Sequence, residues 1–442
     1  MEKQRAGMSW QEKREERFQR WLNPRKIKFN SPAAESLYKE RVTRFIKAIK
    51  MEEPDRVPVN TPSGFFPAYH AGISFRDMMY DAEKTKNAWY KFIRDIGDVD
   101  TFAGPGLVMQ GRVMEALQVK TQKWPGYGMA DDAFFCQFVE AEYMKADEYD
   151  HYLQEPDDYS LRVQLPRSAG IFKPFENLPP LRALGQPLAW VNLFTDPEMR
   201  RLFQTLMDLA PVMQAWKKEI GEATDFMRGE GIPTFWDGSA SAPFDRLADY
   251  LRGTKGIAMD LYRQPGKLLE AIEDNTPRII RQTISMMEDA DCPVVIMPLH
   301  KGDDSFMSDK QFEKFYWPSF KRLLLAMIEE GLVPYPFAEG SYNRRLDIIS
   351  DMPKSGVAWY FDQTDMKRAK ETVGKVSCIA GNTPTSLLIT GTAAQVKENC
   401  RQLIEDCAPG GGYILTGGAH IDKGNIENLR AMMEAAKEYG RY

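Results

Sequence analysis

Val333-Pro-Tyr-Pro-Phe-Ala-Glu-Gly340 is an apolar run of strand length that stops at a carboxylate and a glycine. Three later stretches follow the same grammar: Val357-Ala-Trp-Tyr-Phe-Asp362, Val376-Ser-Cys-Ile-Ala-Gly-Asn382 and Tyr413-Ile-Leu-Thr-Gly-Gly-Ala-His420. An earlier one, Pro293-Val-Val-Ile-Met-Pro-Leu-His300, does so too. Amphipathic stretches of helix length separate them. Strands that alternate with helices imply a parallel sheet. Parallel strands bring their C-terminal ends to one side, where (β/α) barrels build their sites. The expected fold is therefore α/β, a (β/α)8 TIM barrel, with His300, Glu339, Asp362, Asn382 and His420 on one rim.

The chain has 442 residues, 43% hydrophobic, and a formal net charge of −5. That is enough chain for one large α/β core with additions. Mild acidity argues against nucleic acid as a partner, because phosphate binding needs clustered positive charge. No apolar run is long enough for a bilayer, and the first residues form no apolar signal region, so a cytoplasmic protein without membrane contact is expected. Five cysteines without a CxxC pair read as free thiols.

Residues 1–35 read as a charged helical arm. Trp10, Phe18 and Trp21 share a face, which is expected to dock on the body or on a second subunit. The barrel is expected over 36–442. Residues 36–50 form an amphipathic helix with Leu37, Val42, Phe45, Ile46 and Ile49 inward, and the first strand ends at Asn60. The Gly/Pro-rich segment 61–70 reads as a loop over the pocket, with Phe65, Phe66 and Tyr69 as substrate wall. Stretch 140–151 reads as an acidic solvated helix, 157–180 as a loop-rich insertion, and 198–230 as a long helical region. Gly231 to Gly238 reads as a strand ending in Trp236 and Asp237. The strand ending at His300 opens into Lys301-Gly-Asp303-Asp304.

Several stretches resemble the uroporphyrinogen decarboxylase superfamily: Glu53-Pro-Asp-Arg-Val-Pro-Val59, Ser241-Ala-Pro-Phe244 with Arg252-Gly253, Phe312 to Pro318, Ile379-Ala-Gly-Asn-Thr-Pro384, and Gly410 to His420 with Glu427-Asn-Leu429. The resemblance runs from about residue 36 to the C-terminus and implies a (β/α)8 barrel. The decarboxylase's arginine-rich loop after the first strand is replaced by Asn60-Thr-Pro-Ser-Gly-Phe-Phe66. A substrate with many carboxylates needs cationic partners, so the other branch fits better: zinc methyltransferases that serve corrinoid proteins and coenzyme M. The His-x-Cys-Gly of that branch reads Phe337-Ala-Glu-Gly340 here, and the later cysteine falls at Ala419 beside His420. Glu and His replace Cys similarly in superfamily members that demethylate ethers or amines.

The resemblance thus implies an oxygen and nitrogen ligand set for zinc: Glu339 and His420, with Asp362 or His300 as third. A small O-, N- or S-methyl donor then passes its methyl group to a corrinoid carried by a partner protein, or the corrinoid passes it to a thiol, with zinc as Lewis acid. Asp237, Asp303 and Asp304 are expected to orient ligands or protonate product, with His300 the other acid–base candidate. Asn60, Phe65, Phe66, Tyr69, Trp236 and Asn382 are expected to line the substrate. Competing local readings are a helix N-cap for Asp362, a turn for Asn382, and a histidine satisfied by nearby aspartates for His300. Two rival functions stay open. One is a metal-free lyase acting on a carboxylate, in which Asp237 or His300 handles a proton. The other is a non-catalytic assembly subunit. A homodimer is expected from the resemblance and the arm.

Overall fold

A computed structural model describes residues 7–102 and 104–442. Eight parallel strands build the body. They are β1 (Asn60–Thr61), β2 (Thr101–Phe102), β6 (Gly238–Ser239), β7 (Val294–Leu299), β8 (Val333–Ala338), β9 (Ala358–Phe361), β10 (Cys378–Thr383) and β11 (Tyr413–Gly417). Their order is β2-β1, then β11-β10-β9-β8-β7-β6. The two pieces meet at a single parallel bridge, Val59 to Leu415. Among the described residues no ladder joins β2 to β6. Thr101 Oγ1 spans that seam by donating to the Pro233 carbonyl at 2.6 Å. The barrel is thus an eight-stranded parallel curl with one unladdered seam.

Alternation along each strand splits the core in two. Val295, Met297, Leu299, Trp359, Phe361, Ile379 and Leu415 face outward into a belt under the surrounding helices. Val294, Tyr335, Ala358, Tyr360, Ala380 and Ile414 face inward. Both faces are buried, which is why these strands read as unbroken apolar runs.

The barrel is closed from below by two helices, α1 (Trp10–Leu22) and α2 (Pro32–Ile49). Helix α1 starts at a capping box, Ser9 with Glu12. Its Phe18 and Trp21 belong to the inward cluster, so the arm docks on its own barrel. Rings then continue upward: Trp21 to Phe45 (6.4 Å), Phe45 to Phe235 (4.5 Å), Phe235 to Tyr335 (4.9 Å), and Tyr335 to Tyr360 (5.5 Å). The arginines of α1 meet carbonyls left open at the ends of barrel helices. Arg17 donates to the Glu330 carbonyl (2.8 Å) and the Met287 carbonyl (2.9 Å), and Arg20 to the Glu288 carbonyl (2.9 Å). Buried Arg14 donates to the carbonyls of Leu332, Ser355 and Gly356.

Helix α2 begins at Pro32, capped by Ser31, earlier than its apolar pattern suggests. Leu37, expected inward, is exposed. Between β2 and β6 lies an insertion with a small sheet, β3 (Gln122–Pro125) flanked by β4 (Gly128–Met129) and β5 (Gln137–Phe138). Residues 140–148 are irregular rather than helical, because Glu140 and Glu142 are drawn to Thr254 (2.6 Å) and Arg252 (3.0 Å). Stretch 157–180, expected as loop, folds into consecutive short helical turns. One 33-residue helix, Pro197–Gly229, ends the insertion. Among the described residues no helix is long and apolar enough to cross a membrane.

Arg14→Met keeps an apolar stem but leaves three carbonyls without their donor. It is expected to cost about 2–4 kcal/mol, seen as an earlier transition in chemical denaturation, with Arg14→Lys losing less.

Candidate active site at the barrel rim

Register alone assembles the rim. Leu299 pairs with Ala338, and Ala338 with Phe361. The next residues, His300, Glu339 and Asp362, are therefore neighbours on consecutive strands and point inward. Ala380 pairs with Tyr360 and Asn382 with Thr416. Asn382 follows Asp362 in the ring, then Thr416, then Asn60 beside it across the Val59–Leu415 bridge. The layer below is Phe337 stacked on Tyr360 at 4.2 Å.

His300 is the most heavily supported member. Its Nδ1 lies 2.6 Å from Asp249 Oδ2, and its Nε2 lies 3.6 Å from Glu339 Oε1. Its backbone N–H donates to Asp245 Oδ2 at 3.0 Å, and Lys301 N–H donates to Asp245 Oδ1 at 3.2 Å. Tyr316 donates its hydroxyl to Asp245 Oδ2 at 2.7 Å. Lys301 Nζ lies 3.9 Å from Asp249 Oδ1 and donates to Thr254 Oγ1 at 2.6 Å.

These contacts set the charges. Burial pulls the His300 imidazolium down, but the Asp249 bond and the charges of Glu339, Asp249 and Asp245 outweigh it and push it up to about 9. Burial, aided by the Asp249 charge, pushes the Asp245 carboxyl up to about 7. Glu339 is raised by burial, against the pull of His300 and with a push from Asp362. Asp362 is raised by burial, offset by its bond from the Gly340 N–H (3.0 Å). Burial lowers His420 to about 4, which keeps its imidazole neutral at neutral pH. His420 Nδ1 is buried with no hydrogen-bond partner.

Backbone conformation fixes the Glu339 turn. Gly340 has φ +76°, and a Cβ there would meet Asp303 Oδ2 at 3.0 Å. Asn382 donates from Nδ2 to the carbonyls of Asp362 (2.9 Å) and Thr364 (2.7 Å), so it ties the β9 end in place. Asn60 is buried beside the Tyr335 hydroxyl, outside hydrogen-bonding geometry.

Other expected site residues fall elsewhere. The strand expected over 231–238 is only Gly238–Ser239, so Trp236 and Asp237 precede it. Asp237 sits at the N-terminal end of the barrel. It accepts from Arg228 (3.1 Å), Thr234 (3.0 Å) and the Cys292 N–H (2.9 Å), so it anchors the start of β7 and does not face the rim. The Trp236 ring does reach the interior, 5.9 Å from the His420 ring. Phe66 lies on an outer helix, Phe66–Ala71, and packs on Phe92 at 5.8 Å, while Tyr69 on the same helix is exposed. Neither forms the substrate wall expected of it, because the second half of segment 61–70 closes into the helix Phe66–Ala71. Phe65 is buried and stacks on Phe135 at 4.2 Å. Asp303 caps its own turn at Ser305 and Phe306, and Asp304 accepts from Ser341 (2.8 Å) and the Arg344 N–H (3.1 Å). Both carboxylates are spent on loop structure.

The set Glu339, His420 and Asp362 does not converge as three ligand atoms. Among the described residues the only such trio within 4.8 Å is His151, Glu155 and Asp158, in the insertion. The Asp362 carboxylate is turned onto Gly340 instead, and the group nearest Glu339 is His300. Asp245, Asp249 and Tyr316 were not singled out from the sequence. The Asp245-x3-Asp249 spacing, which sets two carboxylates on one side of a helical turn, is the signal that marks them.

The family model for uroporphyrinogen decarboxylase (URO-D) matches residues 172–439. The chain belongs to the uroporphyrinogen decarboxylase family. Among solved structures, a methyltransferase from Methanosarcina mazei superposes with a TM-score of 0.57 at 15% identity, covering 90% of this chain and 98% of that one. What the two chains share is the fold. No curated protein matches the sequence.

In metal-free protein His300 is protonated between two carboxylates. Its folded value, about 9, lies above the unfolded value of about 6.5. The stability it contributes is fully present below about 6.5 and is lost as pH rises through 9. The gap in urea midpoint between wild type and His300→Gln is expected to be widest near pH 6 and to close above pH 9.

Proposed function

We propose that the chain is a methyltransferase that takes a methyl group from a small O-, N- or S-methyl donor, with zinc held at the rim and a corrinoid protein as acceptor. One observation carries the reading: Asp249 occupies His300 Nδ1, which leaves Nε2 aimed at Glu339 Oε1, 3.6 Å away. Zinc bonds to nitrogen and oxygen of about 2.0–2.2 Å put two ligands of a tetrahedral ion roughly 3.4 Å apart. Two donors fit, a carboxylate and an imidazole oriented by a carboxylate, while His420, with its buried, unpartnered nitrogen, does not converge with them within 4.8 Å. Glu339 and His300 would hold the ion. Bound zinc polarises the donor heteroatom as a Lewis acid and eases its departure. The methyltransferase name of the Methanosarcina mazei neighbour supports this choice within the family.

The chain's own residues do the rest. Phe337, Tyr360 and Trp236 give the donor an apolar floor. Lys301 offsets the charge of Asp249. Asn382 and the Gly340 turn hold Asp362 and Glu339 in register. His300 and Glu339 are partly exposed, which would let a partner present its corrinoid to them.

A second reading keeps the family's decarboxylase chemistry. An imidazolium held between Asp249 and Glu339 suits proton transfer to a carbanion from a small carboxylate. Metal content separates the two. Elemental mass spectrometry is expected to find about one zinc per chain, lost in Glu339→Ala and His300→Ala. Zinc-loaded enzyme is then expected to methylate cobalt(I) corrinoid from one of a panel of methyl donors. A wild type that takes up no zinc rejects the methyltransferase mechanism in favour of the second reading.

A further inference from the structure

We propose that Asp249 is a positioning residue that aims His300 Nε2 at the ion held with Glu339. The inference rests on the ligand pair given above. An imidazole that donates Nδ1–H to a carboxylate carries its lone pair on Nε2. Asp249 Oδ2 lies 2.6 Å from Nδ1, so the tautomer and the ring plane are both fixed from behind. The partners of Asp249 are side chains, the His300 ring and the Lys301 ammonium. Asp245, four residues earlier, holds the backbone of the same strand end. One carboxylate places the residue and the other turns its ring.

The local backbone points the same way. Asp249 sits in a five-residue π-helical turn, Ala248–Arg252, which continues the helix Pro243–Leu247. Tyr316, the donor to Asp245, ends a second π-helical turn, Phe312–Tyr316. Such turns are rare and recur at functional sites, where they re-aim side chains. Two of them converge here behind one histidine. Ser241–Phe244 and Phe312–Pro318, the stretches with family resemblance, adjoin or contain these turns. A carboxylate behind a ligating histidine raises its basicity and fixes its direction, and its loss costs about 10–100-fold in metal affinity.

The test is titration of the full chain with cobalt(II), followed by its d–d absorption, with far-ultraviolet circular dichroism to confirm folding. Wild type is expected to bind one cobalt(II) ion. Asp249→Leu is expected to bind it about 10–100-fold more weakly. Asp249→Asn, which keeps an acceptor oxygen, is expected to recover most of the loss. If Asp249→Leu does not fold, Asp249→Ala carries the same expectation. Unchanged affinity in the folded apolar variant overturns the role of Asp249 and leaves the ligand pair standing. Absence of cobalt(II) binding by wild type overturns the ligand pair, and this inference with it.

Discussion

The parallel register of β7 to β11 is the constraint from which the site follows. The ladders run up to the residue before each polar group, or, at Asn382, through it. His300, Glu339, Asp362 and Asn382 therefore arrive as lateral neighbours without any long-range search for a partner. A slip of one residue on any strand turns its polar end outward and an apolar side chain inward. The apolar belt outside the strands opposes that slip, because Leu299, Phe361 and Ile379 would enter the lumen and leave the helices unpacked. The same burial that fixes the fold thus fixes the order of chemical groups around the rim.

That rim needs a rigid base. Aromatic rings fill the lumen from Trp21 to Tyr360, so the layer under Glu339 cannot collapse. The column begins on α1, outside the barrel in sequence but inside its core. Charged α1 is held there by arginine bonds to carbonyls at the lower ends of the barrel helices. Above, four carboxylates, Asp245, Asp249, Glu339 and Asp362, stand around one imidazole and one ammonium. Concentrating like charges in a half-buried ring is costly, and it persists because backbone N–H groups at Gly340, His300 and Lys301 share the load.

The strand ends were legible because parallel strands buried on both faces leave a clear mark, an apolar run that stops at a polar residue. His300, Glu339, Asp362 and Asn382 follow from that mark alone. Asp237 shares it and still lies at the other end, because Pro233 and the turn at Gly231 delay the strand until Gly238. Phe66 and Tyr69 misled for a related reason. Gly- and Pro-rich sequence suggests an open loop, yet Pro67 opens a helical turn that carries both residues away from the mouth. Asp249 left no mark because an aspartate on a helix reads as solvated surface until a strand end is placed against it. The docking face of α1 was legible in Trp10, Phe18 and Trp21, but the arginine bonds that hold it were silent, since their carbonyl partners come from segments some three hundred residues away.

The central claim is a rim that binds zinc through oxygen and nitrogen, with Glu339 and His300 as ligands. X-ray absorption spectroscopy of the zinc-loaded protein addresses it most directly. A first shell of nitrogen and oxygen at about 2.0–2.2 Å is expected, with imidazole scattering that weakens in His300→Gln. A sulfur shell at about 2.3 Å, or a spectrum unchanged in His300→Gln, would contradict it.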